Sequence, residues 1–124
     1  MIEAYIAPAN PIVFVLDPSN SSIELPQYID GELVAANETC VSIGIQADVD
    51  GETNIQLIDK IESIEKNQLS KVFEGSITSP GNKIAVVTAE FDRVIETKIL
   101  QNNAYLEIWV DDLRAPARVV VCVE

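Results

Sequence analysis

The chain has 124 residues, 48% of them hydrophobic, and twenty acidic residues against eight basic ones give it a net charge of −12. This composition excludes a disordered chain, and no apolar run approaches the roughly 20 residues needed to span a membrane. The absence of histidine excludes Ser-His-Asp and Cys-His catalysis and histidine-ligated zinc.

Turn-forming residues divide the chain into short segments rich in Val, Ile, Thr and aromatic residues. Short strands punctuated by turns are typical of an antiparallel sandwich or barrel. The sequence predicts an all-β, single-domain antiparallel β-sandwich over residues 1–124, with about seven to nine strands and at most one short helix near 58–72. The N-terminus has no Lys or Arg before its apolar residues, unlike a secretory signal, so we expect a cytoplasmic protein.

The segment QADVDGETNIQL (46–57) has oxygen-bearing side chains around a glycine, as a calcium-binding loop does. With Gly51 on the required glycine, Asp48 and Asp50 fit the third and fifth ligand positions. The last position, however, is Leu57, which has no side-chain oxygen where a bidentate Glu is needed. The segment is therefore interpreted as a turn.

Alternation of apolar and polar residues on both sides of this turn predicts a β-hairpin. A three-residue loop over 50–52 pairs Ile45 with Leu57, whereas a two-residue loop would turn polar groups into the core. Gly51 would then supply the positive φ that such a loop requires.

Residues 57–75 are compatible with one short helix or with strands. Ile58, Ile61 and Ile64 fall roughly on one helix face, but the alternating residues that lead into the turn at 79–83 favour strands over 61–65 and 69–77.

The last third of the chain predicts four consecutive strands, over 83–91, 94–100, 104–110 and 117–123. Residues 119–123 are apolar on both faces, so this strand is expected at the centre of a sheet. Cys40 and Cys122 are far apart in sequence and lack a metal-binding spacing, so we expect buried thiols rather than a disulfide.

The strand at 104–110 contains the clearest candidate site. Trp109 and Tyr105 alternate with apolar residues, and Glu107 between them indicates a less buried face. Such a face is suited to binding a basic partner. The alternative is that Trp109 fills the second layer of the sandwich.

Asp111 and Asp112 follow directly. Two carboxylates could support hydrolysis, but we favour a solvated loop in which Arg114 is the local counter-charge. The sequence has no nucleophile elbow, phosphate-binding glycine loop or CxxC motif, so we expect neither an enzyme nor a cofactor or metal site.

The net charge disfavours nucleic acid and anionic membranes as partners and favours a basic protein, although it could also serve solubility alone.

In size, charge and lack of catalytic residues, the chain is similar to bacterial immunity proteins and nuclease inhibitors. This resemblance is one of class, carried by no motif, and transfers no residues. The hypothesis is a small acidic binding protein that uses Glu107, Trp109, Asp111 and Asp112. The alternatives are a self-assembling structural protein, possible as a homo-oligomer, and a sandwich that binds a small molecule or sugar.

Overall fold

The computed structural model describes residues 1–59 and 68–124, which form two five-stranded β-sheets packed together. The strands are β1 (Ile2–Ile6), β2 (Ile12–Leu16), β3 (Val34–Ala36), β4 (Cys40–Gly44), β5 (Thr53–Ile58), β6 (Ser70–Thr78), β7 (Lys83–Thr88), β8 (Arg93–Lys98), β9 (Asn103–Val110) and β10 (Arg118–Val123). Sheet A has the order β1-β5-β10-β9-β6, and sheet B has the order β3-β4-β2-β7-β8. The predicted all-β sandwich is confirmed, although the described residues form ten strands rather than the expected seven to nine, and one strand pair is parallel.

The core between the sheets is built from alternate residues of each strand, because successive side chains of a strand point to opposite faces. Val13 and Val15 of sheet B and Leu106 and Ile108 of sheet A are among its fully buried members. Burying one such side chain contributes about 1.5–3 kcal/mol, so this apolar layer is the main source of stability.

Strand β10 lies at the centre of sheet A, as predicted. It pairs antiparallel with β9 and parallel with β5, and all the other strand pairs between described residues are antiparallel. Val119 and Val121 face the core between the sheets, while Val120 and Cys122 are buried against residues on the outer face. Both faces are covered, which explains the unbroken apolar run.

The predicted hairpin across 46–57 is wrong. Strand β4 belongs to sheet B and β5 to sheet A, and residues Asp48–Asp50 form a short 3₁₀ helix in the crossover. Ile45 and Leu57 do face the same core, but from opposite sheets. Apolar alternation has the same period in both arrangements, so it could not distinguish neighbours in one sheet from strands that face each other. Gly51 has the expected positive φ, at 120°.

The strand predicted at 69–77 is observed as β6, and the four predicted strands of the last third are β7 to β10. The strand predicted at 61–65 lies outside the described residues, as does part of the alternative helix. Residues 1–59 and 68–124 contain no helix that could span a membrane.

Cys40 is a buried free thiol, and no disulfide joins it to Cys122. The two residues belong to outward-facing clusters on opposite sheets, with the core of the sandwich between them. Since packed sheets lie about 10 Å apart, the sulfur atoms cannot meet. Burial raises the pKa of the Cys40 thiol to about 12.

A buried carboxylate joins the end of β2 to the turn before β7. Asp17 has 0% exposure, and it accepts hydrogen bonds from Ser19 N at 2.8 Å, Ser79 Oγ at 3.1 Å and Gly81 N at 2.6 Å. Hydrogen bonds to a charged acceptor are stronger than neutral ones. They hold the 79–82 turn against the segment that follows β2.

We expect Gly81→Ala to destabilise the protein by about 2 kcal/mol. A Cβ at this position would lie 2.4 Å from Ser19 Cβ and 3.0 Å from Asp17 Oδ1, so the turn must move away from the carboxylate. The matched control is Gly44→Ala, whose nearest contact would be an ordinary 3.4 Å to Leu33 Cδ1. Urea unfolding followed by Trp109 fluorescence measures both, and equal midpoints would contradict the prediction.

We also expect the Cys40 thiol to be unreactive in the folded protein, because its raised pKa leaves almost no thiolate near neutral pH. In a Cys122→Ala variant, a chromogenic disulfide reagent should label Cys40 slowly at about pH 8 and rapidly once denaturant is added. Rapid labelling without denaturant would show that the thiol is accessible.

Candidate partner-binding surface

The predicted site lies on the outer face of sheet A, along β9. Tyr105, Glu107 and Trp109 alternate with Leu106 and Ile108, which belong to the core between the sheets. The face that contains the aromatic residues is therefore the outside of the sandwich, as the position of Glu107 in the alternation suggested.

Trp109 is half-buried on this outer face. Its ring packs against an apolar cluster formed by Ile58, Leu69, Val120 and Cys122. Its indole N–H donates a hydrogen bond to Glu107 Oε1 at 3.0 Å, and Lys71 Nζ lies 5.9 Å from the ring centroid. A cation at this distance from an aromatic ring is attracted to it. Trp109 is thus held from several sides, with part of its ring left for solvent or a partner.

Glu107 is only 8% exposed, although the sequence suggested a surface position. Strand register places it opposite Glu74 of β6, and like charges in such a pair repel. Lys71 offsets this repulsion: it forms an ion pair with Glu74 at 2.5 Å. The hydrogen bond with Glu74 is the largest cause of the raised pKa of Lys71. Glu107 therefore orients the indole of Trp109 more than it displays charge.

Tyr105 donates a hydrogen bond from its hydroxyl to Glu74 Oε2. This bond is the main cause that raises the pKa of Tyr105 to about 12. The pKa of Glu74 is lowered in turn, first by the hydrogen bond from Lys71 and then by the one from Tyr105. Lys71, Glu74 and Tyr105 form a connected polar network beside Trp109.

Asp111 and Asp112 begin the loop between β9 and β10, and both are exposed. Asp111 Oδ1 accepts hydrogen bonds from the N–H groups of Ala117 at 3.0 Å and Arg118 at 3.1 Å. Within the described chain, Oδ2 of Asp111 accepts no hydrogen bond, so this oxygen of the exposed side chain is left to solvent.

Asp112 has the same division of roles between its two oxygens. Its Oδ1 accepts from the N–H groups of Ala115 at 3.0 Å and Arg114 at 2.8 Å. These backbone bonds, that of Ala115 first, lower the pKa of Asp112. The positive charge of Arg114 also lowers the pKa of Asp112, as expected of a local counter-charge, although among described residues its guanidinium forms no ion pair with either aspartate.

The structure brings Glu107 and Trp109 into direct contact. Asp111 and Asp112 follow the end of β9, at the start of the β9–β10 loop. Sequence reasoning missed Lys71 and Glu74, which come from a strand more than thirty residues earlier. Only strand register places them beside β9. Over residues 1–59 and 68–124, no three Cys, Asp or Glu side chains are grouped so as to hold a metal ion.

Comparison with known proteins gives a shared fold. No protein-family model and no curated protein matches the sequence. Among solved structures, the chain is similar to ComJ from Bacillus subtilis, an inhibitor of the DNA degrading activity of NucA. The TM-score is 0.71 at 14% identity, and the match covers 99% of this chain and 94% of the ComJ chain. The likeness therefore extends over nearly the whole architecture.

We expect Tyr105 to ionise only near pH 12, compared with its ordinary value of 10.0. Because the pKa of Tyr105 is higher in the folded state than in the unfolded state, its hydrogen bond to Glu74 stabilises the fold fully below about pH 10. This stabilisation is lost as pH rises towards 12. The tyrosinate absorbance of the wild type minus that of Tyr105→Phe isolates this titration. Glu74→Gln should lower its midpoint, and an unchanged midpoint would contradict the role of Glu74.

Proposed function

We propose that this protein is a small acidic, non-catalytic inhibitor or adaptor that docks on a basic protein partner. The observation that carries the proposal is the fold shared over 99% of the chain with ComJ, a protein that inhibits another protein's DNA-degrading activity. The proposed partner class is a nuclease or another protein with a basic, phosphate-binding surface. The proposed location is the cytoplasm.

The charge distribution supports a basic partner. The net charge is −12, and within the described chain only Lys71–Glu74 and Arg93–Glu96 form ion pairs. Most carboxylates are therefore not neutralised within the molecule. A negative field of this kind accelerates encounter with a basic surface and disfavours binding to nucleic acid itself.

The loop after β9 supplies the carboxylates best suited to docking. In Asp111 and Asp112, one oxygen is engaged by backbone N–H groups while the other is not. The loop is thereby ordered before a partner arrives, which reduces the entropy cost of binding. Trp109 would add a half-exposed aromatic surface, and Glu107 would act by orienting that ring.

The first test is capture of partners from the host lysate at low salt, followed by elution with rising salt and identification by mass spectrometry. The proposal expects one basic protein, bound stoichiometrically and released as salt screens the charges. The purified partner's activity, including DNA degradation, is then measured with and without this protein. Recovery of the protein's own copies alone would instead favour the self-assembling alternative.

We expect the double variant Asp111→Asn and Asp112→Asn to slow association with the captured partner by about tenfold at low salt. Asparagine keeps the side-chain oxygen that accepts the loop's backbone N–H bonds, so the charge changes while the loop persists. The association rate is measured by surface plasmon resonance at low and high salt.

The matched control is the double variant Glu24→Gln and Glu38→Gln. Both residues are exposed acids, and they lie beside Thr39 and Thr78, at the opposite end of the sandwich. The control removes the same number of charges. Equal slowing in both double variants would assign the effect to net charge and contradict a docking role for the β9–β10 loop.

A further inference from the structure

A second surface lies on the outer face of sheet B. There the segment 24–33, referred to below as the roof, lines a cleft of about 780 Å³ together with strands β2 and β4. Ile12 and Phe14 of β2 form part of the floor, Leu25 and Tyr28 belong to the roof, and Leu113 lines the cleft from the β9–β10 loop. A volume of this size is within the range of about 300–1,000 Å³ typical of binding clefts.

The cleft is held open by hydrogen bonds at both ends of its roof. Glu24 N donates to Thr39 Oγ1 at 3.0 Å, and Asn37 Nδ2 donates to the Glu24 carbonyl at 2.8 Å. At the other end, Gly44 N donates to the Leu33 carbonyl at 2.9 Å. The roof is therefore anchored to β4 and to the turn that precedes it, which makes the cleft a preformed feature.

Large apolar side chains are exposed around this opening. Leu25 is 48% exposed, Tyr28 66% and Leu113 61%, and Phe91, stacked on Phe14 at 6.1 Å, is 53% exposed. A single exposed apolar residue is ordinary. Three of them line the cleft, and Phe91 adjoins it through Phe14, so together they form the kind of apolar patch that marks an interaction site.

Phe91 occupies an unfavourable backbone position. In the turn between β7 and β8, its N–H donates to the Thr88 carbonyl, and Thr88 N donates to the Asp92 carbonyl. This three-residue loop places Phe91 at φ 64°, where glycine is the usual residue and a bulky side chain is strained. Stacking on Phe14 offsets part of this strain, and about half of the side chain stays exposed, where it can contact a ligand.

The charges around the cleft are mainly acidic. Glu32 lines the cleft, and Asp30 accepts a hydrogen bond from the hydroxyl of Tyr28, which also lines it. Arg114 is the one basic residue among those that line the cleft. The surface is thus complementary to an apolar group with basic groups on either side.

We infer that this cleft binds an apolar side chain, aromatic or long aliphatic, that the basic protein partner presents between Lys or Arg residues. The inference rests on the proposed function, since the occupant belongs to the same partner. It adds a second contact area on the opposite sheet from Trp109. The β9–β10 loop lies between the Trp109 surface and the cleft: Asp111 and Asp112 follow Trp109's strand, and Leu113 lines the cleft.

The test uses NMR of the full-length ¹⁵N-labelled protein, titrated with the peptide Lys-Arg-Trp-Arg-Lys and with its Gly-centred analogue. We expect saturable shifts at amides of 25–32 and 89–92, with the Trp peptide binding about tenfold more tightly. Equal binding of the two peptides, absence of saturation, or shifts confined to the Trp109 face would overturn the inference. N-acetyltryptophanamide binding as tightly as the Trp peptide would also overturn it, in favour of a small-molecule site.

Variants locate the contact. Phe91→Gly and Leu113→Ser should each weaken binding of the Trp peptide by about tenfold. Phe91→Gly relieves backbone strain but loses the stacking on Phe14, so its Tm is measured as a check of folding, and Leu113→Ser leaves that stacked pair intact. Leu100→Ala is the matched control: Leu100 is 98% exposed and follows β8, at the end opposite Phe91. Unchanged binding in both cleft variants, or equal weakening in the control, would overturn the inference.

These measurements separate the two proposals. If a captured partner is sensitive to the Asp111 and Asp112 substitutions but not to Phe91→Gly, the docking proposal stands and the cleft inference fails. If no basic partner is captured, the proposed function fails. Selective binding of the Trp peptide would then still support the cleft as a site for an apolar side chain between basic residues.

Discussion

Burial of β10 on both faces is the constraint on which the rest of sheet A depends. Its inward valines close the core against sheet B, and its outward residues require a second apolar layer. Trp109, on the neighbouring strand, supplies part of that layer, which is why it is half-buried. The antiparallel pairing of β9 with β10 also fixes the two ends of the loop between them. There Asp111 accepts hydrogen bonds from the backbone N–H groups of Ala117 and Arg118.

The acidic charge and the apolar surface are distributed so that neither outer face is uniform. On sheet A, a half-buried tryptophan lies within a network of Lys71, Glu74 and Tyr105. On sheet B, exposed apolar side chains surround a cleft with acidic neighbours. The β9–β10 loop borders both surfaces, so a protein that contacts this loop could reach either one. Complementary charge would favour encounter, and the apolar groups would prolong the contact.

Strand content and the buried face of β9 could be predicted because they depend on local alternation. The apolar run of β10 also indicated a central strand, since only a strand covered on both faces needs such a run. The hairpin predicted at 46–57 was wrong because strands that face each other across the core and strands paired in a hairpin have the same two-residue apolar period. The prediction that Glu107 is a surface acid was wrong because its burial depends on Trp109 and on two residues of β6, Lys71 and Glu74. Only strand register brings β6 beside β9.

The sequence by itself determined an all-β chain with a large excess of acid and no histidine-based chemistry, because composition and two-residue periodicity are local properties. Tertiary structure alone decided which sheet each strand joins, because pairing depends on contacts between distant segments. It also decided that Asp111 and Asp112 order their loop, and that Phe91 meets Phe14 at the edge of a cleft. A side chain's role at a surface depends on its neighbours in space, and those become defined only when the two sheets pack.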